Sequence, residues 1–274
     1  MRRAKPTYPS LRAHAPRPLG AMMVCLFVCA FALAIMLPYQ SALAAPAVES
    51  RFDILLRWVP LILQGFWLNL LMSFIAVIIG TVLGALLGIA QISPLYWLRR
   101  GAWLVTEFFR NAPTLVLLFF CMFLLPFEIQ IGASTIPFPA WVKAVLGLSL
   151  SKMAYVSEIV RGGLRSIPAT QWEAAEALSF TRWQTLRMVI IPQCIKRMLP
   201  PWMNAYAILI MSTPLASVLG VHEGLSLTRS AISAVGRPDM LTPFYLFLLA
   251  LFFIYAYPIS VWTIRLERRY AVKS

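Results

Sequence analysis

Charged side chains are scarce in this sequence. Asp, Glu, Lys and Arg make up 12% of its 274 residues, whereas the AVILMFWYC set makes up 60%. A soluble domain carries about 25% charged residues and needs them to cover its surface, and a disordered chain has far fewer apolar residues than this one. The composition therefore excludes both classes and predicts an integral membrane protein.

Side chains that usually bind metals or act in catalysis are also scarce. There are two His, His14 and His222, and four Cys with no C-x-x-C pair among them. Zinc sites and nucleophile–base pairs need such residues at close spacing, so we expect no catalysis, no metal site and no cofactor in this chain. We expect the thiols to be buried and free. A G-x-x-x-x-G-K-[ST] phosphate-binding loop is also missing, so energy from ATP would have to come from a partner.

Long apolar runs take the place of the missing charge. Six of them are long enough to cross a bilayer, at about 20 residues per crossing, and each is far longer than a buried strand. They cover about residues 19–38, 64–91, 113–131, 140–160, 200–221 and 242–263. The predicted fold class is an all-α membrane bundle of five core transmembrane helices plus one N-terminal hydrophobic helix.

The distribution of basic residues predicts the orientation in the lipid bilayer. The formal net charge is +14, and most of the 24 Lys and Arg fall in the segments 1–18, 93–110, 161–198 and 265–274. Basic loops remain on the cytoplasmic side, so both termini are predicted to be cytoplasmic. The positive charge is thus a topological signal, and we expect no nucleic-acid partner, because such a surface gathers its charges on one face.

The first apolar run has two interpretations. The basic tail 1–18 precedes it, and Ala42-Leu43-Ala44 resembles a signal-peptidase site. The run is longer than a usual signal sequence, which favours a retained helix, whereas cleavage would leave five spans in the same orientation. The segments that follow are a transmembrane helix or signal-like segment at 19–45, a transmembrane domain at 60–265 and a second basic tail at 266–274.

The longest predicted cytoplasmic segment, 161–198, has the pattern of two short helices. Thr170 stands three residues before Glu173, and Thr181 stands three before Gln184. Both pairs match the capping box, in which a hydroxyl and a carboxylate or amide satisfy the first backbone amides of a helix. The pattern predicts two helix starts in this segment.

Two prolines flank this pair of helices. Pro168 precedes the first and Pro192 follows the second, and proline is unfavourable inside a helix. We therefore predict a helix–turn–helix that projects from the membrane, with a first helix at about 171–178. A helix this short is marginal alone in water, and Ala174 and Ala175 are small enough to let a partner approach closely.

These residues resemble a known family. Glu173-Ala174-Ala175 followed by Ile190-Ile191-Pro192 resembles the EAA loop of permease subunits in bacterial ABC importers. The runs Ala154-Tyr155-Val156-Ser157-Glu158-Ile159-Val160-Arg161-Gly162-Gly163, Glu107-Phe108-Phe109-Arg110-Asn111-Ala112-Pro113 and Leu266-Glu267-Arg268-Arg269 resemble the polar amino acid permeases. The resemblance covers about residues 60–270.

The resemblance implies a type I ABC importer permease in the bacterial inner membrane. Its implied partners are two copies of an ATP-binding subunit, a second permease subunit that is identical or paralogous, and a periplasmic solute-binding protein. The implied cargo is a polar amino acid or a related small solute. The alternative is a secondary transporter driven by an ion gradient, which would have inverted repeats and carboxylates at mid-depth, and neither is evident.

In that family the EAA loop is the coupling helix, which lies in a cleft of the ATP-binding subunit. The residues to which the resemblance assigns coupling are Glu173, Ala174, Ala175, Ser179, Ile190 and Pro192. For Glu173 the alternative is a cap on its own helix through Thr170. The family usually has Gly where Ser179 stands, and a left-handed conformation there would cost a non-Gly residue about 1–2 kcal/mol.

The predicted spans contain few candidates for a substrate pathway. Lys152 lies near mid-depth of the 140–160 span, where ionisable residues are costly and usually face a cavity or a charged partner. We predict that it attracts a substrate carboxylate; the alternatives are pairing with a carboxylate of the second permease subunit, or snorkelling. Thr213 is a further pathway candidate; it lies where the family commonly has K-D-T-S-L, a motif whose two charges this sequence lacks.

Two further patterns concern helix surfaces. Glu158 and Arg161 are three residues apart and can share a helix face, as a gate or as an interfacial ion pair. Gly80, Gly84 and Gly88 form a stripe that predicts close helix packing, with a gate as the alternative. Near the predicted outer face, Arg57, Gln64 and Asn69 are candidates for contact with the binding protein.

Overall fold

The structure, a computed structural model, describes residues 50–131 and 134–270. The tail 1–18, the apolar run 19–38, Cys25 and Cys29 lie outside the described residues. The chain divides into two compact units, Met1–Leu55 and Leu56–Ser274. The second unit contains every residue that the sequence analysis assigns to coupling or to the pathway.

The described chain is mostly helical. Its α-helices are α1 (Arg51–Ala90), α2 (Tyr96–Asn111), α3 (Thr114–Leu124), α4 (Ala140–Arg165), α5 (Ala169–Ala177), α6 (Arg182–Gln184), α7 (Ile191–Ser212), α8 (Gly224–Val235) and α9 (Leu241–Tyr270). A π-helical turn, Thr185–Ile190, joins α6 to α7, and 3-10 segments occupy Thr213–Leu219 and Pro238–Met240. The strands β1 (Glu128–Ile131) and β2 (Ser134–Pro137) form an antiparallel pair with Glu128 opposite Pro137.

Three helical runs of the described residues are long and apolar enough to cross a membrane. They are Arg51–Ala90, Arg182–Leu219 and Pro238–Tyr270, and they contain most of the runs predicted at 64–91, 200–221 and 242–263. The helices α2 and α3 meet at a bend of 103° and give a fourth crossing if they count as one broken span. Helix α4 has the length for the span predicted at 140–160, but its lysines and serines lower its hydropathy.

The span predicted at 113–131 is wrong in its second half. Helix α3 ends at Leu124, and Pro126 follows two residues later, where it cannot continue the helix. The apolar residues beyond it form the first strand of the hairpin instead. The Lys143 ammonium, which is fully buried, donates to the carbonyls of Met122 and Leu125 at 3.3 and 3.0 Å and so satisfies carbonyls at the end of this short helix.

The glycine stripe of α1 packs directly against α4. A Cβ at Gly80 would lie 2.8 Å from the Lys152 Cβ, and a Cβ at Gly84 would lie 2.6 Å from the Met153 carbonyl oxygen. A Cβ at Gly88 would lie 2.7 Å from the Val160 Cβ. The two backbones therefore approach each other more closely than any residue with a side chain permits, which is the packing role that the spacing predicts.

The first predicted capping box does not form. Helix α5 begins at Ala169, two residues earlier than the pattern indicates, and its N-cap is Pro168, without a side-chain cap. Thr170 is therefore already inside the helix, and Glu173 is not its capping partner. Proline is well suited to a helix start, since its missing N–H is not needed there. The helix therefore begins after Pro168 and not after the Thr170 hydroxyl.

The second capping box is confirmed, but the helix that it starts does not end where predicted. The Gln184 amide donates to the Thr181 hydroxyl at 3.3 Å, and the Thr181 amide donates to the Gln184 side chain at 2.8 Å. The helical run then continues through the π-helical turn into α7, with Pro192 inside it. Widened π turns change the local hydrogen-bonding register, so a proline directly after the turn is accommodated.

Candidate functional site

Helix α5, which carries the EAA motif, has an exposed and a buried face. Glu173 and Ala174 are exposed, whereas Ala175 is only 3% exposed. The buried face covers a small apolar core formed by Leu164, Ile167, Leu186, Ile190 and Cys194. Within the predicted coupling set, Glu173, Ala174, Ser179 and Pro192 are thus on the surface, and Ala175 and Ile190 hold the loop together from inside.

Ser179 forms the turn between α5 and α6 in a left-handed conformation. Its φ is 59°, as the comparison with the family's glycine leads one to expect. The Ser179 amide donates to the Glu176 carbonyl at 2.8 Å, and the Phe180 amide donates to the Ala175 carbonyl at 3.1 Å. These two bonds define a Schellman motif, which holds the serine in its unfavourable conformation.

The EAA loop exposes three large apolar side chains that the sequence analysis did not single out. Leu178 is 69% exposed, Trp183 is 63% exposed and Met188 is 64% exposed. They follow α5 and lie on both sides of the Ser179 turn. The sequence could have indicated this surface, because these residues lie in a segment predicted to face water. Large apolar side chains that are exposed to water mark an interaction surface.

The predicted Glu158–Arg161 ion pair forms at the end of α4. The Arg161 Nε donates to the Glu158 Oε1 at 3.0 Å, and its Nη2 also contacts the Glu158 Oε2. Arg110 Nη1 lies 3.8 Å from the same carboxylate. The sequence analysis missed Arg110, which lies 48 positions before Glu158 in the printed sequence and approaches it only through the packing of α2 on α4.

A buried amide ties this ion pair to α1. Gln91 is 2% exposed, and its Nε2 donates to the hydroxyls of Thr106 and Ser157 at 3.0 and 2.8 Å and to the Glu158 Oε1 at 3.4 Å. The hydroxyls of Thr106 and Ser157 are themselves 3.0 Å apart. The end of α1, the middle of α2 and the end of α4 therefore share one polar cluster.

Lys152 is buried without a neutralising group in the described part of the chain. It is 4% exposed, its Nζ lies 5.1 Å from the centre of the Tyr155 ring, and no ion pair with a described carboxylate includes it. Tyr155 lines a cavity of about 460 Å³ together with Arg110 and Glu158. Tyr155 thus contacts Lys152 through its ring and also lines a cavity that has Glu158 in its wall, whereas Lys152 and Arg161 are not wall residues of that cavity.

Thr213, the other pathway candidate, takes part in a buried network. It is fully buried, it accepts a bond from the Asn69 Nδ2 at 2.9 Å, and it donates to the Ile210 carbonyl at 2.8 Å. Both bonds join it to protein groups, and its assignment to a substrate pathway stays a prediction.

Asn69 and Glu223 complete this network, which we call the Asn69 network (Asn69, Thr213 and Glu223). Asn69 Nδ2 donates to the Glu223 Oε2 at 2.8 Å, and its Oδ1 accepts from the Gly224 amide at 2.8 Å. The Glu223 carboxylate also caps α8, since it accepts from the amides of Leu225 and Ser226, each at 2.9 Å. Asn69 is fully buried, so the expectation that its side chain is available to a binding protein is wrong.

Side chains that bind metals do not cluster in the described ranges 50–131 and 134–270. No group of three or more His, Cys, Asp or Glu side chains there is placed to hold a metal ion. Cys121 and Cys194 are buried and free, as expected.

The sequence is similar to curated ABC transporter permeases. The probable amino-acid ABC transporter permease protein YckA of Bacillus subtilis is 40% identical over 164 residues, which are 60% of this chain and 70% of YckA. The glutamate/glutamine/aspartate/asparagine transport system permease protein BztC of Rhodobacter capsulatus is 30% identical over 270 residues, which are 95% of this chain and 58% of BztC. The chain thus spans little more than half the length of BztC. Both relatives are named as permease proteins, which confirms the prediction that this chain is a transport subunit and not an enzyme.

The fold is also similar to that of solved transporters. A chain in the crystal structure of an amino acid ABC transporter with histidines is 29% identical and superposes with a TM-score of 0.67, over 78% of this chain and 96% of that chain. The all-α permease fold class is thereby confirmed. A family model described as "Binding-protein-dependent transport system inner membrane component" matches residues 80–272. Because this match covers well over half of the sequence, the chain belongs to the family of inner membrane components of binding-protein-dependent transport systems.

Proposed function

We propose that the chain is the permease subunit of an ATP-driven importer for a polar amino acid or a related small solute. The observation that carries the proposal is the exposed surface of the EAA loop, with small Ala174 beside Glu173 and three large apolar side chains around the turn. An ion-gradient transporter has no use for such a docking surface. The amino-acid permease names of YckA and BztC support the choice of cargo.

The proposed assembly follows from the family. Family membership and the likeness to solved ABC importers imply assembly with ATP-binding and other subunits. We assign two copies of the ATP-binding subunit, a second permease subunit and a periplasmic solute-binding protein. The chain is a multi-pass inner membrane protein, and we assign the EAA loop and the C-terminus to the cytoplasm because the segments 93–110, 161–198 and 265–274 are basic.

The EAA loop transmits movement in this proposal. Helix α5 has nine residues and is roughly 13 Å long at 1.5 Å per residue, so it depends on packing for its stability. Its buried side is filled by the loop's own core, and its exposed side is left for the cleft of an ATP-binding subunit. When two ATP-binding subunits close, they displace this helix and with it α4 and α7, which switches access between the two sides of the membrane.

The test is a charge reversal on the exposed face of α5. Glu173→Lys should uncouple ATP hydrolysis from uptake in vesicles reconstituted with the whole transporter. The variant permease should still insert into the membrane. Glu267→Lys is the matched control, because Glu267 is also exposed and lies in α9, outside the loop. Uptake that persists in Glu173→Lys at the rate of the Glu267→Lys control would refute the coupling role.

Lys152 is the proposed contact for the substrate carboxylate. Its support is the absence of a described ion-pair partner and its contact with the ring of Tyr155, which lines the 460 Å³ cavity. A buried ammonium without a counter-charge is costly, and an entering carboxylate would supply that charge. The Glu158–Arg161 pair, of which Glu158 lines the same cavity, is the proposed gate, and Thr213 is a proposed pathway residue.

Transport by two Lys152 variants tests this contact. Lys152→Met should raise the substrate concentration for half-maximal uptake by at least tenfold, and Lys152→Arg, which keeps the charge, should raise it less. Lys143→Met is a control in the same helix; it removes the caps on α3 and should lower stability without changing apparent affinity. Unchanged apparent affinity in both Lys152 variants would exclude the contact.

A further inference from the structure

The end of the bundle that carries the EAA loop contains a cleft rich in arginine. Two neighbouring cavities, of about 530 and 240 Å³, share the residues Gln91, Arg99 and Arg165 in their walls. The cleft therefore lies where α1 ends, α2 begins and α4 ends, in front of the EAA loop. It is separate from the 460 Å³ cavity that Tyr155 lines, since the two have no wall residue in common.

The charge in this cleft is not compensated by the described part of the chain. The larger cavity adds Arg182, the smaller adds Arg100 and Arg161, and no carboxylate lines either one. Arg161 is paired with Glu158, and Arg182 donates to the Ile92 carbonyl at 3.0 Å. Arg99, Arg100 and Arg165 take part in none of the ion pairs found among the described residues, so the cleft favours an anion.

The helix beside the cleft has the character of one that lies in a membrane interface. Helix α2 is separated from α3 by the bend of 103°. Five large apolar side chains of α2 are exposed along one arc of it: Trp97, Leu98, Leu104, Val105 and Phe108. Arg99 and Arg110 lie on the opposite arc and Arg100 lies at the border of the two, and this division is typical of a helix whose apolar face enters the acyl region beside the headgroups.

Aromatic rings of α2 contact two of the arginines. The Arg100 guanidinium lies 4.4 Å from the centre of the Trp103 ring, and that of Arg99 lies 5.9 Å from the centre of the Tyr96 ring. Tyr and Trp are enriched where apolar chains meet headgroups. The combination of arginine with interfacial aromatic rings points to a ligand that remains in the membrane, rather than to a soluble anion.

Gln91 adds a further requirement on the ligand. Its Nε2 is engaged by Thr106, Ser157 and Glu158, and its Oε1 is the one buried side-chain oxygen or nitrogen of the described residues that has no hydrogen-bond partner. Such an atom is costly unless a donor reaches it. A ligand with both a phosphate and a hydroxyl group would neutralise the arginines and donate a hydrogen bond to the Gln91 Oε1.

We propose that this cleft binds the headgroup of an anionic phospholipid that carries hydroxyl groups, of the phosphatidylglycerol class. The phosphate lies between Arg99 and Arg165, and the glycerol hydroxyl reaches toward Gln91. The acyl chains run along the exposed apolar arc of α2. The site is independent of cargo recognition and adds a specific lipid to the partners of the permease.

Native mass spectrometry of the full-length permease, titrated with dioleoylphosphatidylglycerol, tests the site. The variant Arg99→Gln/Arg165→Gln should bind this lipid roughly 30-fold more weakly, since each arginine near an anionic lipid contributes about a factor of five. Arg268→Gln/Arg269→Gln is the matched control, because it removes the same charge from exposed positions at the end of α9. Arg99→Lys/Arg165→Lys, which keeps the charge, should retain most of the binding and shows that the site tolerates substitution.

Comparison of ligands and partners distinguishes the occupants. Weaker binding of dioleoylphosphatidylcholine than of phosphatidylglycerol, together with no displacement by millimolar inorganic phosphate, supports the lipid site. Equal loss of lipid in the α9 control, equal binding of both lipids, or displacement by inorganic phosphate overturns it. Release of the bound lipid when the ATP-binding subunit is added also overturns it, because the cleft would then serve as a protein contact.

Discussion

The Asn69 network and the EAA loop use polar residues in opposite ways. In the network, Asn69, Thr213 and Glu223 are fully buried, and each bonds to another protein group. In the EAA loop, Glu173 and Ala174 face outward and large apolar side chains are exposed beside them. A region that satisfies all its groups internally is structural, whereas one that leaves apolar surface exposed is completed by a partner.

The largest expected effect comes from removing the carboxylate at the centre of the network. Glu223→Ala removes one of the two acceptors of the Asn69 Nδ2 and leaves the backbone amides of Leu225 and Ser226 without their acceptor. Several buried donors lose an acceptor at once, and the cost should be about 3–5 kcal/mol. The measurement is the apparent melting temperature of the permease alone, in detergent, without any other subunit.

A neighbouring substitution shows whether the effect belongs to the network. His222→Ala changes an exposed residue one position away and should shift the melting temperature very little. Glu223→Gln keeps the shape and part of the bonding and should fall between the two. A Glu223→Ala permease that melts like His222→Ala would show that the network does not hold the fold.

The next effect belongs to the EAA loop and should appear only with a partner. Trp183→Ala removes an exposed apolar side chain, so the melting temperature of the permease alone should be unchanged. Its affinity for the ATP-binding subunit should fall roughly 30-fold, as is typical for a tryptophan at the centre of an interface. Trp262→Ala, which removes an equally exposed ring from α9, is the control; equal affinities for the two variants would contradict the assignment.

A smaller effect tests the helix packing that links the two regions. Gly84→Ala places a methyl group 2.6 Å from the Met153 carbonyl oxygen and 2.7 Å from the Val156 Cβ, so α1 and α4 must separate, at a cost of about 2 kcal/mol. Gly162→Ala meets nothing within 4 Å and should gain about 0.5–1 kcal/mol from helix propensity. The melting temperatures of the two variants should shift in opposite directions; a Gly84→Ala permease that melts as high as the Gly162→Ala permease would exclude tight packing at Gly84.

The smallest effect is expected at the turn of the EAA loop. Ser179→Gly removes the penalty of a side chain at a φ of 59° and should stabilise the loop by about 1 kcal/mol, which hydrogen exchange at the Phe180 amide would report as slower exchange. Ser179→Ala keeps the Cβ and should bring no gain. Faster exchange in the glycine variant would show that the serine side chain stabilises the turn.

The elements of the EAA loop were predicted with different success for identifiable reasons. The Thr181–Gln184 capping box depends on four adjacent residues and formed as predicted. The Thr170–Glu173 box failed because Pro168 starts the helix earlier. Pro192 did not end the second helix, because the π-helical turn before it accommodates the proline. No pattern of residues in the sequence predicts that turn.

The spans show the same division. Runs of apolar residues predicted the long helices α1 and α9 well, since length and hydropathy are local properties. The run at 113–131 was misjudged because its hydropathy continues past Pro126 into the hairpin. The contacts of Gln91 and Asn69 within their clusters were not predicted, because the members of each cluster are dispersed along the chain and no local pattern links them.

The sequence by itself determined that the chain is a membrane permease, which segment carries the coupling motif and that Ser179 occupies a glycine position. These properties depend on apolar runs and motifs, which consist of neighbouring residues in the sequence. Only the tertiary structure decided that Ala174 faces outward while Ala175 is buried, and that Asn69 meets Thr213 and Glu223 across 144 and 154 positions. Both depend on which helix faces pack together, and that choice is made by the whole bundle rather than by any one segment.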